Sequence, residues 1–191
     1  MKVPFADLKA QYHSIKPEID EAIEDILTNT SFVGGPKVKV FEAEFATYIG
    51  TEHCVSCANG TDAIEIALQA IGLGEGDEVI VPAMSWIATA EAVTTVGATP
   101  VFADVLPDEW TIDPKDVRTK ITDRTKAIIP VHFYGRAARM DEIMSIAKEH
   151  ELKVIEDAAQ AIDNYYINSK GEQNSLGSIG HFSTFSYKLQ T

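Results

Sequence analysis

Residues 154–160, Val-Ile-Glu-Asp-Ala-Ala-Gln, decide the class of fold. A short apolar strand, Lys153 to Ile155, runs into a carboxylate, Asp157, and then an amide, Gln160. Strands of this kind belong in a mostly parallel sheet covered on both faces. In such a sheet ligands bind beyond the carboxyl ends of the strands. An aspartate buried there needs a cationic partner, because an unpaired charge in a dry site is costly. A second reading, in which Asp157 caps the following turn, stays open at this point.

Outward from this stretch the chain alternates between strand and helix. Upstream, a strand over 53–58 leads through Asn59-Gly60 to a helix over 61–71, and a strand over 78–81 leads to a helix near 87–96. A strand over 100–104 precedes a helix over 114–121, and a strand over 127–131 precedes a helix over 140–150. Downstream lie an irregular polar segment, 164–177, and a last apolar strand over 181–187. Two helices come first. One covers 7–27, with Ile15, Ile19, Ile23, Ile26 and Leu27 at helical spacing and Pro17 taken as a first-turn residue. The other carries Val38, Phe41, Phe45 and Tyr48 on one face and stops at Gly50. Repeated strand–helix units predict an α/β fold: a mostly parallel sheet with helices on both faces. No internal repeat, low-complexity tract or flexible linker interrupts it.

The composition agrees with a globular domain: 191 residues, 45% hydrophobic and 24% charged. A domain of this size buries roughly 70% of its unfolded surface. The net charge of -13 argues against nucleic acid or an anionic membrane as partner, since both need clustered Lys and Arg. No apolar run approaches the ~20 residues of a membrane helix. The opening MKVPFADLKAQ has no apolar signal-peptide core, which points to the cytoplasm. Cys54 and Cys57 form a lone CxxC without further zinc ligands, and are expected to be buried reduced thiols.

Five sites fall at strand ends or on the last strand. Gly60 permits close backbone approach, and Thr61 offers a hydroxyl and an N–H at a helix N-terminus, an anion site or simply an N-cap. Trp86 is either a ring that stacks on a planar ligand or core filler. His132 contacts substrate, moves a proton, or is a satisfied structural histidine. Asp157 suits a protonated pyridine nitrogen, with Gln160 as a neighbouring amide, and the Ser186 hydroxyl suits a phosphate oxygen. Together they are the equipment for a phosphorylated pyridine cofactor.

The chain resembles the sugar aminotransferases of the DegT/DnrJ/StrS type. The resemblance is carried in order by FADLKAQYHSIKPEIDEAI, SCANGTDAIEIALQAIGLGEGDEVIVPAMSWIATAEAV, TKAIIPVHFYG, VIEDAAQA and GSIGHFSTFSY. It implies the large domain of a fold-type I enzyme that uses pyridoxal 5'-phosphate and moves an amino group, usually from glutamate, to a keto group on a nucleotide-linked sugar. It further implies that Gly60, Thr61 and Ser186 hold the phosphate, Trp86 stacks on the ring, Asp157 pairs with the ring nitrogen and Gln160 contacts the hydroxyl side. Active sites of the family lie at a dimer interface, so a homodimer is expected of the full-length protein.

The chain departs from the family pattern at its end. The family's Schiff-base lysine is expected five residues after Ser186, and position 191 is Thr191, with Lys188 three residues early. The segment after Gln160 is longer and more polar than the family's. The expectation is therefore residues 1–191 as a truncated cofactor-binding large domain, without its C-terminal domain and without activity of its own. The alternatives are a non-catalytic relative that binds the cofactor or a sugar nucleotide, and a nicotinamide-dependent oxidoreductase, for which no GxGxxG follows the first strand.

Overall fold

The computed structural model describes residues 7–187. By its contacts the chain forms two units, Met1–Phe45 and Ala46–Thr191.

The first unit holds α1 (Leu8–Thr28) and most of α2 (Pro36–Ile49). The Asp7 carboxylate accepts the Ala10 N–H at 2.9 Å and so caps α1, satisfying one of its orphan amides. The helix starts where the pattern puts it, but Pro17 lies inside α1 rather than in its first turn. The expected apolar stripe is present, yet α1 has no buried residue. Lys37 pairs with Asp25 at 3.3 Å, and the rings of Phe41 and Phe45 stack 5.7 Å apart.

The second unit is the predicted α/β sandwich. Its sheet has the order β2 (Thr99–Ala103), β1 (Glu78–Pro82), β3 (Thr125–Ile128), β4 (Lys153–Asp157), β7 (Phe182–Thr184), and every pairing is parallel. Period-two alternation splits the strand residues between two cores. Val79, Val81, Ala127, Ile129 and Ile155 pack with Ile64 and Leu68 of α3 (Gly60–Ala70) and Ala92 and Val93 of α4 (Ile87–Thr95). On the other face Ile80, Ile128 and Val154 meet Val117 of α5 (Pro114–Lys120) and Met140, Ile143 and Ile146 of α6 (Met140–Glu149). All five residues of β1 are buried, which is why Val79 to Pro82 read as an unbroken apolar run after Glu78.

Four expectations are corrected. Residues 53–58 do not form a strand: among the described residues no strand pairs with them, and without a ladder partner the β conformation gains no inter-strand hydrogen bonds. Cys57 is consequently exposed and Cys54 half-buried, not core thiols, and neither is in a disulfide. Residues 164–177 are not irregular but fold into a hairpin, β5 (Tyr165–Ile167) against β6 (Gln173–Ser175). The Asn168 side chain closes its turn by accepting the N–H groups of Lys170 and Glu172. The last strand is shorter than expected, so Ser186 lies two residues beyond β7.

Candidate functional site

Strand order sets the place of the site. The chain passes from β1 to β2 on one side and then returns to β3 on the other, so the switch point, where sheets of this kind form their ligand crevice, lies between the carboxyl ends of β1 and β3. Trp86 caps the helix that follows β1, Asp157 ends β4, and Gly60 opens α3. The helix cap next to Gly60 is Asn59, whose side chain accepts the Asp62 N–H at 3.0 Å, rather than Thr61 or Asp62. This leaves Thr61 in the first turn with its hydroxyl uninvolved in the cap. A Cβ built on Gly60 would lie 2.9 Å from the Ser186 Cβ, so only glycine lets the α3 N-terminus and Ser186 approach this closely.

Asp157 is pinned through its backbone and reached through its side chain. Its N–H donates to the Pro130 carbonyl at 2.9 Å, and its own carbonyl accepts the His132 N–H at 3.0 Å. One carboxylate oxygen accepts the Ala159 N–H at 3.2 Å, and the other accepts the Thr89 hydroxyl at 3.1 Å. The residue is 7% exposed, and among the described residues no cation pairs with it. Burial pushes its carboxyl above the ordinary aspartate range, against the pull of the Ala159 and Thr89 donors. The side chain is therefore a buried acceptor that would gain from a cation. Gln160 accepts the Tyr134 N–H at 2.8 Å through its amide oxygen, which leaves its NH2 to donate elsewhere. Tyr134 takes a positive φ of 51° to make that bond. Trp86 is 69% exposed and joins the group through the helix turn, in which the Thr89 N–H donates to its carbonyl at 3.1 Å.

His132 resolves as the structural option. It is fully buried, its Nδ1 accepts the Ala138 N–H at 3.1 Å, and its Nε2 therefore carries the proton that goes to Glu156, 2.9 Å away. Glu156, also fully buried, accepts three further donors: Gly177 N–H at 2.9 Å, Ile179 N–H at 2.7 Å and Gly180 N–H at 2.5 Å. Burial pushes the Glu156 carboxyl up, but hydrogen bonds from His132, Gly180 and Gly177 outweigh it and hold the group below the ordinary glutamate range. This carboxylate folds the glycine-rich turn that delivers β7.

Residue-type reasoning did not single out Thr89, Ser85 or Glu156. Ser85 and Thr89 are spaced i, i+4 at a helix start, which was a usable signal for hydroxyls on one face. Glu156 alternates with Asp157 across β4 and was hidden by it. Lys188 and Thr191 lie outside the described residues. No cluster of His, Cys, Asp and Glu able to hold a metal occurs among the described residues, and no helix among them is long and apolar enough to cross a membrane.

The doubly covered parallel sheet carries an aspartate, an amide and a helix N-terminus at its carboxyl edge, the edge at which open sheets of this kind bind ligands. The sequence profile of the DegT/DnrJ/EryC1/StrS aminotransferase family matches residues 13–189, and the chain belongs to that family. It is 49% identical, over 97% of its own length and 50% of the other, to a UDP-N-acetyl-3-dehydro-alpha-D-glucosamine 3-aminotransferase of Acidithiobacillus ferrooxidans. Among solved structures it superposes on DesV of S. venezuelae in complex with a ketimine intermediate, with a TM-score of 0.90 and 43% identity, over 97% of this chain and 49% of that one. NtdA of Bacillus subtilis with bound cofactor PMP matches with a TM-score of 0.82 and 38% identity, over 89% of this chain and 39% of that one. The chain thus spans about half the length of the relatives it matches.

Proposed function

We propose that this chain is the cofactor-binding large domain of a pyridoxal-phosphate-dependent aminotransferase that transfers an amino group, with glutamate as donor, to a nucleotide-linked keto sugar. One observation carries the reading: Asp157 is a buried carboxylate at the crevice, with donors on both oxygens and, among the described residues, no cation beside it. A protonated pyridine nitrogen supplies that cation. The residues around it fit the rest of the group. The Gly60–Ser186 approach, together with Thr61 at the N-terminus of α3, is a cradle for the phosphate that a Cβ at position 60 would disrupt. The NH2 of Gln160 is placed to donate to the ring's hydroxyl side, and Trp86 offers a flat face at the mouth of the crevice.

When bound, the cofactor supplies an electron-accepting ring that carries the amino group between donor and acceptor. Asp157 keeps the proton on the ring nitrogen, Gln160 orients the ring, and Gly60, Thr61 and Ser186 fix the phosphate end. The buried setting of Asp157 and Thr89 keeps water from competing for the ring nitrogen. The relatives' names support a nucleotide-linked keto sugar as acceptor. The whole protein is read as a cytoplasmic homodimer, as the family resemblance implies.

The test has two parts. Pyridoxamine phosphate titrated into the 191-residue chain should bind, and Asp157→Asn should weaken it by at least tenfold; equal affinities would remove Asp157 from the site. The whole protein, incubated with glutamate and a panel of UDP- and dTDP-linked keto sugars, should yield an amino sugar by mass spectrometry. If only α-keto acids accept the amino group, the sugar assignment fails.

A further inference from the structure

Three hydroxyl and carboxyl groups form a line into the crevice. Ser85 Oγ lies 2.8 Å from Thr89 Oγ1, and Thr89 Oγ1 lies 3.1 Å from Asp157 Oδ2. We propose that Thr89 is a positioning residue for the Asp157 carboxylate, with Ser85 setting the direction of its hydroxyl; the functional meaning rests on Asp157 as partner of the ring nitrogen.

The direction follows from proton counting. A threonine hydroxyl has one proton, and an ionised carboxylate only accepts. Thr89 therefore gives its proton to Asp157 and must accept from Ser85. Thr89 is 2% exposed, so water does not stand in for either bond. Ser85 is half-buried, which leaves the far end of the line in reach of solvent. The second Asp157 oxygen is taken by the Ala159 N–H. With both oxygens held, the carboxylate cannot turn about its Cβ–Cγ bond without losing both donors. A ring N–H is a single directional donor and gains most from a lone pair that stays where it is.

The same helical turn ties this anchor to the exposed ring. The Thr89 N–H donates to the Trp86 carbonyl at 3.1 Å, so the hydroxyl that fixes Asp157 and the indole at the crevice mouth move together. Thr89 is β-branched and sits on a helix, which limits its rotamers. Placement of the carboxylate is thus encoded in the first turn of α4 rather than in β4 alone.

The experiment uses the 191-residue chain with [13C]-labelled aspartate and follows the Asp157 carboxyl through a pH titration by NMR, its signal identified by loss in Asp157→Asn. Removing the donor should disfavour the ionised form, so Thr89→Val should raise the Asp157 midpoint by about one unit. Thr89→Ser should restore it, and Ser85→Ala should raise it by less than Thr89→Val does. A residue that merely fills space would not move this midpoint in a folded variant. An unchanged midpoint in folded Thr89→Val overturns the proposal; if that variant does not fold, an unchanged midpoint in Ser85→Ala overturns it. Pyridoxamine phosphate binding by the same proteins separates the two readings. Failure of the unsubstituted chain to bind would count against the cofactor assignment while the titration still decides the role of Thr89. Where it binds, Thr89→Val should weaken affinity by about tenfold and Thr89→Ser by much less.

Discussion

Glu156→Gln isolates the carboxylate that folds the glycine turn. In the native chain Oε1 accepts Ile179 and Gly180, and Oε2 accepts Gly177 and His132. Glutamine has one acceptor oxygen, so it serves one pair and presents an NH2 to the other. If the NH2 faces Ile179 and Gly180, two buried backbone donors are orphaned. If it faces Gly177 and His132, the imidazole can shift its proton to Nδ1 and accept at Nε2, but Nδ1–H then meets the Ala138 N–H that it accepted before. Either way two buried N–H groups lose their partners. At about 1–3 kcal/mol each, the loss is roughly 2–6 kcal/mol, a large share of the ~5–15 kcal/mol that holds a domain together. The melting temperature should fall by roughly 4–24 °C. Glu156 has a folded carboxyl below its unfolded value, so its contribution is present above the unfolded value, near 4.3, and is lost as pH falls through the folded one. The difference between the two proteins should therefore be greatest at neutral pH and shrink under acid. Urea unfolding followed by circular dichroism measures it. A Glu156→Gln chain within about 0.5 kcal/mol of the parent at pH 7 would refute the reasoning.

Four further outcomes are expected. Asp157→Asn should make the ligand-free chain more stable at pH 7, because the asparagine oxygen keeps the Ala159 bond and its NH2 donates to the Thr89 hydroxyl, which turns its proton to Ser85, with no buried charge; since the Asp157 carboxyl is raised by folding, the parent should close the gap as pH falls below its folded value, and thermal melts across pH will show whether it does. Gly177→Ala should cost about 2–4 kcal/mol, because Gly177 has φ +92° and an added Cβ would meet the Phe185 ring, and a melt near that of the parent would contradict this. Gly60→Ala should push α3 from Ser186 and weaken pyridoxamine phosphate binding by on the order of tenfold while leaving the fold intact, as calorimetry would register. Because position 191 is threonine, mixing the 191-residue chain with pyridoxal phosphate and reducing with borohydride should give no stoichiometric pyridoxyl-lysine peptide, and quantitative labelling of Lys188 would reverse that expectation.

The sheet was legible because its strands are short, β-branched and flanked by turn residues, so β1 and β4 appear within two residues of where the pattern puts them and β3 within three. Residues 53–58 carry the same pattern but no ladder, and a strand is a property of a pair, which a single segment cannot report. The hairpin at 165–175 was hidden for the opposite reason: its stability comes from Asn168 closing its own turn, not from apolar alternation. At the site, Asp157 and Gln160 stood out by chemistry at a strand end. Thr89 and Ser85 did not, since ordinary hydroxyls acquire meaning only from what lies 3 Å away. His132 shows the same limit, because its residue type announced chemistry and its two partners assign it to the frame.

The backbone bonds of Asp157 to Pro130 and His132 have a consequence for how such a protein can change. They hold the main chain at position 157 whatever side chain it bears, while the stabilising carboxylate belongs to the neighbour, Glu156. Two adjacent acids on one strand thus divide their duties: one is architecture, the other is an interchangeable fitting. A lineage could rewrite the charge presented to a ligand at 157 without renegotiating the sheet, whereas the residue beside it has almost no such liberty.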